Sequence, residues 1–241
     1  MHTRAIILAA GRSKRLGALT ENMPKCLLPL GGATILDHQI AGLRRSGIDD
    51  ITLVTGFCDE MVRRHCGPGF RYILNSVYDT TNSIYSLWLA LKERQGSIIV
   101  LNSDVVFHPR ILANLISAPY PDALTISFQD GMGEEEMKVK VGDGKIIDIS
   151  KDMNPRKADG ENVGIVKFSA EGSDDLLSTA DSLVSSGTVR AWAPLAFQRL
   201  CTHRDLFAVG TEGLPWIEID FPEDLERART EIYPRINSEE G

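Results

Sequence analysis

Short aliphatic runs alternate with amphipathic stretches through the first hundred residues, and no other feature of this chain restricts its fold so strongly. Ala5-Ile6-Ile7-Leu8, Ile51-Thr52-Leu53-Val54 and Ser97 to Leu101 read as strands, and Ile35 to Arg45 and Ser83 to Arg94 as helices. In the second of these helices Ile84, Leu87, Trp88 and Leu91 recur at helical spacing on one face. Strands that are apolar throughout, rather than at every second residue, must be covered on both faces. That predicts a parallel sheet between layers of helix.

The pattern changes after about residue 120. Leu124 to Phe128, Met137 to Val141, Lys145 to Ile149 and Val163 to Phe168 are separated by Gly- and Asp-rich turns, which predicts a small added segment of mixed sheet. Residues 150 to 162 are the most polar and least periodic stretch, and they read as a mobile loop beside a ligand site. A strand over Trp216 to Ile219 and a helix starting near Pro222, with Glu223 and Asp224 in its first turn, close the chain. The 241 residues suit one large α/β domain or two small ones. We expect one, its two halves dividing near residue 120.

Charge is unevenly spread. The chain carries 26 Lys and Arg against 33 Asp and Glu, a formal net charge of −7. Yet Arg4, Arg12, Lys14, Arg15 and Lys25 crowd the first thirty residues, where the sole acid is Glu21. The acidic remainder repels duplex nucleic acid and anionic membrane, whereas a small anion is welcome at the cationic island. Cys26, Cys58, Cys66 and Cys201 form no C-x-x-C pair and read as reduced thiols. The apolar stretch Ala5 to Ala10 is too short for a signal-peptide core or a membrane span, so a cytoplasmic protein is expected. A homodimer is compatible with this composition.

The cationic island coincides with the loop after the first strand, Leu8-Ala9-Ala10-Gly11-Arg12-Ser13-Lys14-Arg15-Leu16, followed by Pro24-Lys25. Ligands of α/β sheets bind at the carboxyl ends of strands, where this loop lies. It is no dinucleotide fingerprint, because Ser13 and Leu16 stand where glycines are required, and it is no Walker A loop, because Leu16 and Gly17 replace Gly-Lys. What remains are small residues that let backbone approach a phosphate, with Arg15 and Lys25 as countercharge for a triphosphate and a departing pyrophosphate. Opposite unit charges about 4 Å apart attract by roughly 4 kcal/mol at an effective dielectric near 20.

The motif Leu8-Ala9-Ala10-Gly11-x-Ser13-x-Arg15-Leu16 with Pro24-Lys25 resembles the signature of the nucleotidyltransferases that load nucleoside monophosphates onto phosphorylated sugars and alcohols. Ser13 replaces the family's second glycine. Thr81-Asn82-Ser83-Ile84-Tyr85-Ser86-Leu87, Asn102-Ser103-Asp104, Gly160-Glu161-Asn162-Val163-Gly164 and Ile217-Glu218-Ile219-Asp220-Phe221 follow in the order of the branch resembling choline-phosphate and phosphonate cytidylyltransferases. The resemblance implies a Rossmann-like three-layer α/β/α fold with a mixed, mostly parallel sheet, of the nucleotide-diphospho-sugar transferase type. It also implies that Leu8 to Lys14 hold the nucleotide, with Asn82, Ser86 and Ser103. An amide pairs with a cytosine or a uracil edge equally well, so CTP is chosen by resemblance.

Asp104 follows the run Ile98 to Leu101 with two residues between, and Asp220 ends the strand Trp216 to Ile219, so both carboxylates are expected at one sheet edge. Two such oxygen ligands suit Mg²⁺, and the resemblance gives them the same role. For the acceptor, Trp192 and Trp216 can form an aromatic wall, Glu161 can hold an amine or hydroxyl, and Lys151 a phosphate. Where choline-phosphate enzymes carry another aromatic, this chain has the Glu134 to Met137 run. The expected reaction is transfer of CMP from CTP to a small phosphorylated or phosphonylated alcohol or amine. A sugar-1-phosphate nucleotidyltransferase using UTP or another triphosphate is the nearest rival. A glycosyltransferase would be expected to carry Asp-x-Asp in place of Asn102-Ser103-Asp104, and a non-catalytic regulatory subunit to have lost Lys25, Asp104 or Asp220.

Overall fold

The computed structural model describes residues 3–93, 96–129 and 132–238. Strands β1 (Arg4–Ala9), β4 (Ile51–Thr55), β5 (Arg71–Leu74) and β6 (Ile98–Asn102) form the parallel half of a nine-stranded sheet, and β2 (Pro29–Leu30) with β3 (Ala33–Thr34) makes a separate small hairpin. The other half is built from β8 (Ala123–Phe128), β9 (Lys138–Gly142), β10 (Lys145–Ser150), β11 (Gly160–Phe168) and β12 (Phe207–Gly210). The order across the sheet is β5-β4-β1-β6-β11-β8-β12-β10-β9. β11 runs antiparallel to both β6 and β8, whereas β12 is parallel to β8, so the sheet is mixed. β11, from the second half of the chain, is inserted directly beside β6, from the first.

β1 shows why the sheet has two covered faces. All six of its residues are buried. Ile6 and Leu8 enter an apolar cluster with α3 (Ser83–Glu93), α5 (Ala170–Ser185) and α6 (Pro194–Leu200). Ala5, Ile7 and Ala9 enter a second one with α1 (Ile35–Arg45), α2 (Asp59–Cys66) and α4 (Pro109–Ser117). Side chains alternate along a strand, so one continuous apolar run serves both layers. α1 begins where Thr34 caps it: Thr34 Oγ1 accepts from Asp37 N, and Asp37 Oδ2 accepts from Thr34 N. Arg44 and Arg45 end it against the negative pole of the helix.

A third cluster positions the site. Leu16, Leu28 and Leu30 from the segment after β1 meet Val106, Ile217, Ile219 and Leu225. Val106 belongs to β7 (Val105–Phe107), Ile217 to β13 (Trp216–Glu218) and Leu225 to α7 (Pro222–Arg227), with Ile219 just past β13, before α8 (Tyr233–Ser238) ends the described chain. Burying these side chains together draws the cationic loop onto the β7–β13 ribbon.

The polar stretch 150–162 is shorter as a loop than its composition suggests. Ser150 ends β10, Pro155–Lys157 form a 3-10 turn, and Gly160, Glu161 and Asn162 already belong to β11. Burial of Glu161 and Asn162 in a strand broke the apolar pattern there. Arg94, the expected end of the second helix, lies outside the described residues. Among the described residues, no helix is long and apolar enough to cross a membrane.

Candidate active site

A cavity of about 380 Å³ opens at the carboxyl ends of β1 and β6. Leu8 and Ala9 at the end of β1, and Ala10, Gly11, Ser13 and Lys14 on the loop after it, line one side. Ser13 adopts a left-handed conformation (φ 52°, ψ 52°), the backbone state that the glycine at this place in the family would adopt without a Cβ penalty. Its carbonyl accepts from Thr20 Oγ1 at 2.8 Å, which closes the turn. Gly56, just beyond β4, permits the adjoining wall: a Cβ there would lie 2.7 Å from Ala10 O and 2.8 Å from Tyr78 Cβ. Phe57 N donates to that same Ala10 carbonyl at 3.0 Å.

The acidic wall is assembled by pairing. β7 and β13 run antiparallel with Val105 opposite Glu218, and Ile219 N donates to Asp104 O at 3.0 Å. One carboxylate oxygen each of Asp104, Glu218 and Asp220 therefore lies within 4.8 Å of the others. From α1, buried Gln39 donates to Asn102 O and Val105 O, both at 2.8 Å, fixing the turn that carries Asp104. Asp224 Oδ2 accepts from Asp220 N and Phe221 N, fixing the other side.

Cations meet this wall. Lys25 Nζ, on a side chain only 7% exposed, donates to Asp104 Oδ2 at 3.0 Å and Asp220 Oδ1 at 2.7 Å. Arg15 Nη1 donates to Asp220 Oδ2 at 2.9 Å. Burial alone would lower the Lys25 pKa, but the two carboxylates override it and hold the ammonium above its ordinary value. Burial likewise works against ionised Asp220, and Lys25, Arg15 and Lys151 pull it below the usual carboxylate range. Burial, followed by repulsion from Asp104 and Asp220, pushes Glu218 up to about 8.

This donor set fits a hard divalent cation. Three carboxylates converge, and Asp104 Oδ1 is buried with no hydrogen-bond partner among the described residues. An unsatisfied buried oxygen beside two further carboxyl groups is a coordination position that suits a cation.

Of the residues singled out from sequence, Arg15, Lys25, Leu8, Ala9, Ala10, Gly11, Ser13, Lys14, Asn82, Ser86, Ser103, Asp104, Lys151, Trp192 and Asp220 line this one cavity. Three do not. Arg12 is exposed and lies over the Phe57 ring, 5.3 Å from its centroid. Trp216 packs in the second apolar cluster, opposite Phe107 in the β7–β13 ribbon, so it cannot share an aromatic wall with Trp192. Glu161 is buried in β11 behind the lining, its Oε2 accepting from Gln129 Nε2 at 3.0 Å. Burial, then the Glu136 carboxylate, raises its pKa to about 7.

Sequence reasoning missed Asn75, Tyr78, Asn162 and Glu218, all of which line the cavity, and Gln39, which supports it. Buried Asn75 donates from Nδ2 to Thr81 Oγ1 and Ser86 Oγ, both at 3.1 Å, and so orients the expected base-facing turn. Glu218 was legible within the Glu-Ile-Asp run, two residues before Asp220, on the same strand face.

Comparison with known proteins agrees with this geometry. The chain is 27% identical over 248 residues to the CTP:phosphoglutamine cytidylyltransferase of Campylobacter jejuni, covering 92% of this chain and 97% of that one. It is 36% identical over 129 residues to the CMP-5'-(3-aminopropyl)phosphonate synthase of Streptomyces rubellomurinus, a match spanning 52% of this chain and 20% of that longer protein. The solved CTP:phosphocholine cytidylyltransferase of Streptococcus pneumoniae superposes with a TM-score of 0.79 at 25% identity, over 95% of this chain and 98% of that one. The profile of the MobA-like NTP transferase domain matches residues 5–209, from the first residues of β1 to the last of β12. The chain belongs to this family of nucleotidyltransferases.

Proposed function

We propose that the protein transfers CMP from CTP to a small phosphorylated or phosphonylated alcohol or amine, of the phosphocholine, 2-aminoethylphosphonate or 2-hydroxyethylphosphonate kind, and releases pyrophosphate. The observation that carries the reading is the bridge of Lys25 between Asp104 and Asp220, with Arg15 on the same carboxylate, at the mouth of the phosphate loop. The cytidylyltransferase relatives support the choice of base and of a phosphorylated acceptor. Free cysteines fit a reducing compartment such as the cytoplasm.

An oxygen of the acceptor's phosphate or phosphonate attacks the α-phosphorus. The new P–O bond forms as the bond to the β-phosphate oxygen breaks, and the electron pair leaves with pyrophosphate. The acceptor is already an anion, so no protein nucleophile is needed, and the work of the chain is orientation and charge neutralisation. Orientation of two bound reactants is worth roughly 7–11 kcal/mol in favourable cases. The backbone from Leu8 to Lys14 cradles the triphosphate, while Lys25 and Arg15 offset charge on the leaving pyrophosphate. Asn82, Ser86 and Ser103 lie where they can contact the nucleoside, and Lys151 and Trp192 flank the acceptor. Asp104 and Asp220, with Glu218, would hold Mg²⁺, which when bound polarises phosphate oxygens as a Lewis acid.

Pyrophosphate release measured with each of the four ribonucleoside triphosphates, against phosphocholine, 2-aminoethylphosphonate, 2-hydroxyethylphosphonate and sugar 1-phosphates, tests this. CTP with one of the first three acceptors is the expected active pair. Turnover confined to UTP, or to a sugar phosphate, would replace the reading with that of a sugar-1-phosphate nucleotidyltransferase.

A further inference from the structure

We propose that Glu135 is an internal place-holder for the acceptor's phosphoryl group: its carboxylate occupies the gap between Arg15 and Lys151 that a substrate dianion must take over. Glu135 Oε2 lies 3.5 Å from Arg15 Nη2 and 3.9 Å from Lys151 Nζ. Both cations line the cavity, and Lys151 Nζ also sits 4.8 Å from the centroid of the Trp192 ring. The proposal rests on the nucleotidyl-transfer reading only for the identity of the displacing anion.

Glu135 does not reach this position on a loose loop. Lys138 is 1% exposed, and its ammonium donates to Glu134 O at 2.9 Å, Glu136 O at 3.1 Å and Lys151 O at 2.8 Å. An ammonium has three donors, and here all three are used. The carbonyls on either side of Glu135 and the backbone of Lys151 are thus gathered on one buried charge, which faces the Glu135 side chain toward its two cations. That side chain is itself 68% exposed, so packing does not hold it there.

The contact has a consequence for affinity. A carboxylate on two partly exposed cations is held weakly, because solvent screens it. A phosphoryl dianion brings twice the charge and more acceptor oxygens to the same two cations and displaces it. Every anion that enters must displace the same carboxylate, so Glu135 lowers all their affinities by one factor, and a singly charged group such as a sulfonate, which gains less from the two cations, is left the weaker ligand.

Calorimetric titration with methylphosphonate and with methanesulfonate, at a mildly alkaline pH where the former is a dianion, tests this on the full chain. Glu135→Gln is expected to bind methylphosphonate about fivefold more tightly than the unaltered protein, as the loss of two weak exposed pairs predicts. Methanesulfonate should gain by the same factor, since either anion must displace the same carboxylate. Glu134→Gln removes the same charge one residue away and should leave both affinities unchanged. Binding seen only in Glu135→Gln supports the proposal. Equal or weaker binding by Glu135→Gln, no binding by either protein, or an equal gain in Glu134→Gln overturns it. Pyrophosphate release from CTP is scored separately: a methylphosphonate gain without turnover refutes the transferase reading alone, and turnover without the gain refutes the place-holder alone.

Discussion

Replacing Lys25 by methionine removes the ammonium that Asp104 and Asp220 share and leaves three carboxylates within 4.8 Å of one another. Truncating one partner of a buried ion pair costs about 3–5 kcal/mol. Because Glu218 already takes a proton up to about pH 8, part of the repulsion is relieved, and the lower end, about 3 kcal/mol, is expected. For a chain of this size that is a fall in Tm of about 6–12 °C. The sign with pH follows from the two shifts. Lys25 is raised, so its contribution is complete below the ordinary lysine pKa and is lost only as pH climbs through the still higher folded value. Asp220 is lowered, so its contribution is present above the ordinary carboxylate pKa and is lost as pH falls through the folded value. The deficit of Lys25→Met should thus be full at neutral pH and shrink in acid. Thermal unfolding followed by circular dichroism in EDTA at neutral pH measures it. Added Mg²⁺ should then restore part of the loss, since a cation bound only by the folded state stabilises that state. A variant melting within about 2 °C of the parent in neutral EDTA would refute the reasoning, since less than about 1 kcal/mol would be at stake.

Three further outcomes are expected. Ser13→Gly relieves a left-handed φ of 52° and should raise stability by about 0.5–1 kcal/mol in urea unfolding. Gly56→Ala forces a methyl group to within 2.7 Å of Ala10 O, which should destabilise the protein by about 1–3 kcal/mol and weaken CTP binding by calorimetry. Glu161, raised to about 7, binds a proton in the folded state that the unfolded chain releases, so its contribution is full below about pH 4.5 and is lost as pH rises toward 7. Glu161→Gln should flatten that decline, which can reach about 1.4 kcal/mol per pH unit for one site.

The parallel half of the fold was legible because β1, β4 and β6 are covered on both faces and so read as unbroken apolar runs. The amphipathic pattern of α1 and the proline at the start of α7 marked those helices as plainly. Elements whose faces meet water on one side were harder. α5 carries Glu171, Asp174, Asp175 and Asp181 among its few apolar residues, and the sequence reading passed over it. The site was legible where it is local: the phosphate loop is a contiguous string, and Asp104 and Asp220 each follow a strand. It was not legible where it depends on pairing. Glu218 joins the acidic wall only because β13 lies antiparallel to β7, and Trp216, two residues earlier, is taken up by the apolar cluster below the ribbon. Glu161 and Asn162 looked like loop because polar residues interrupt the strand pattern, yet β11 holds both in register with β8.

The most direct test of the account is Asp104→Ala, assayed by ³¹P NMR for conversion of CTP and a phosphonate or phosphate acceptor into a CMP adduct and pyrophosphate, beside its circular dichroism spectrum. The account predicts a native spectrum with no adduct formed. A variant that folds and still produces adduct and pyrophosphate at the parent rate would contradict it, because the acidic wall opposite Lys25 would then have no part in the chemistry.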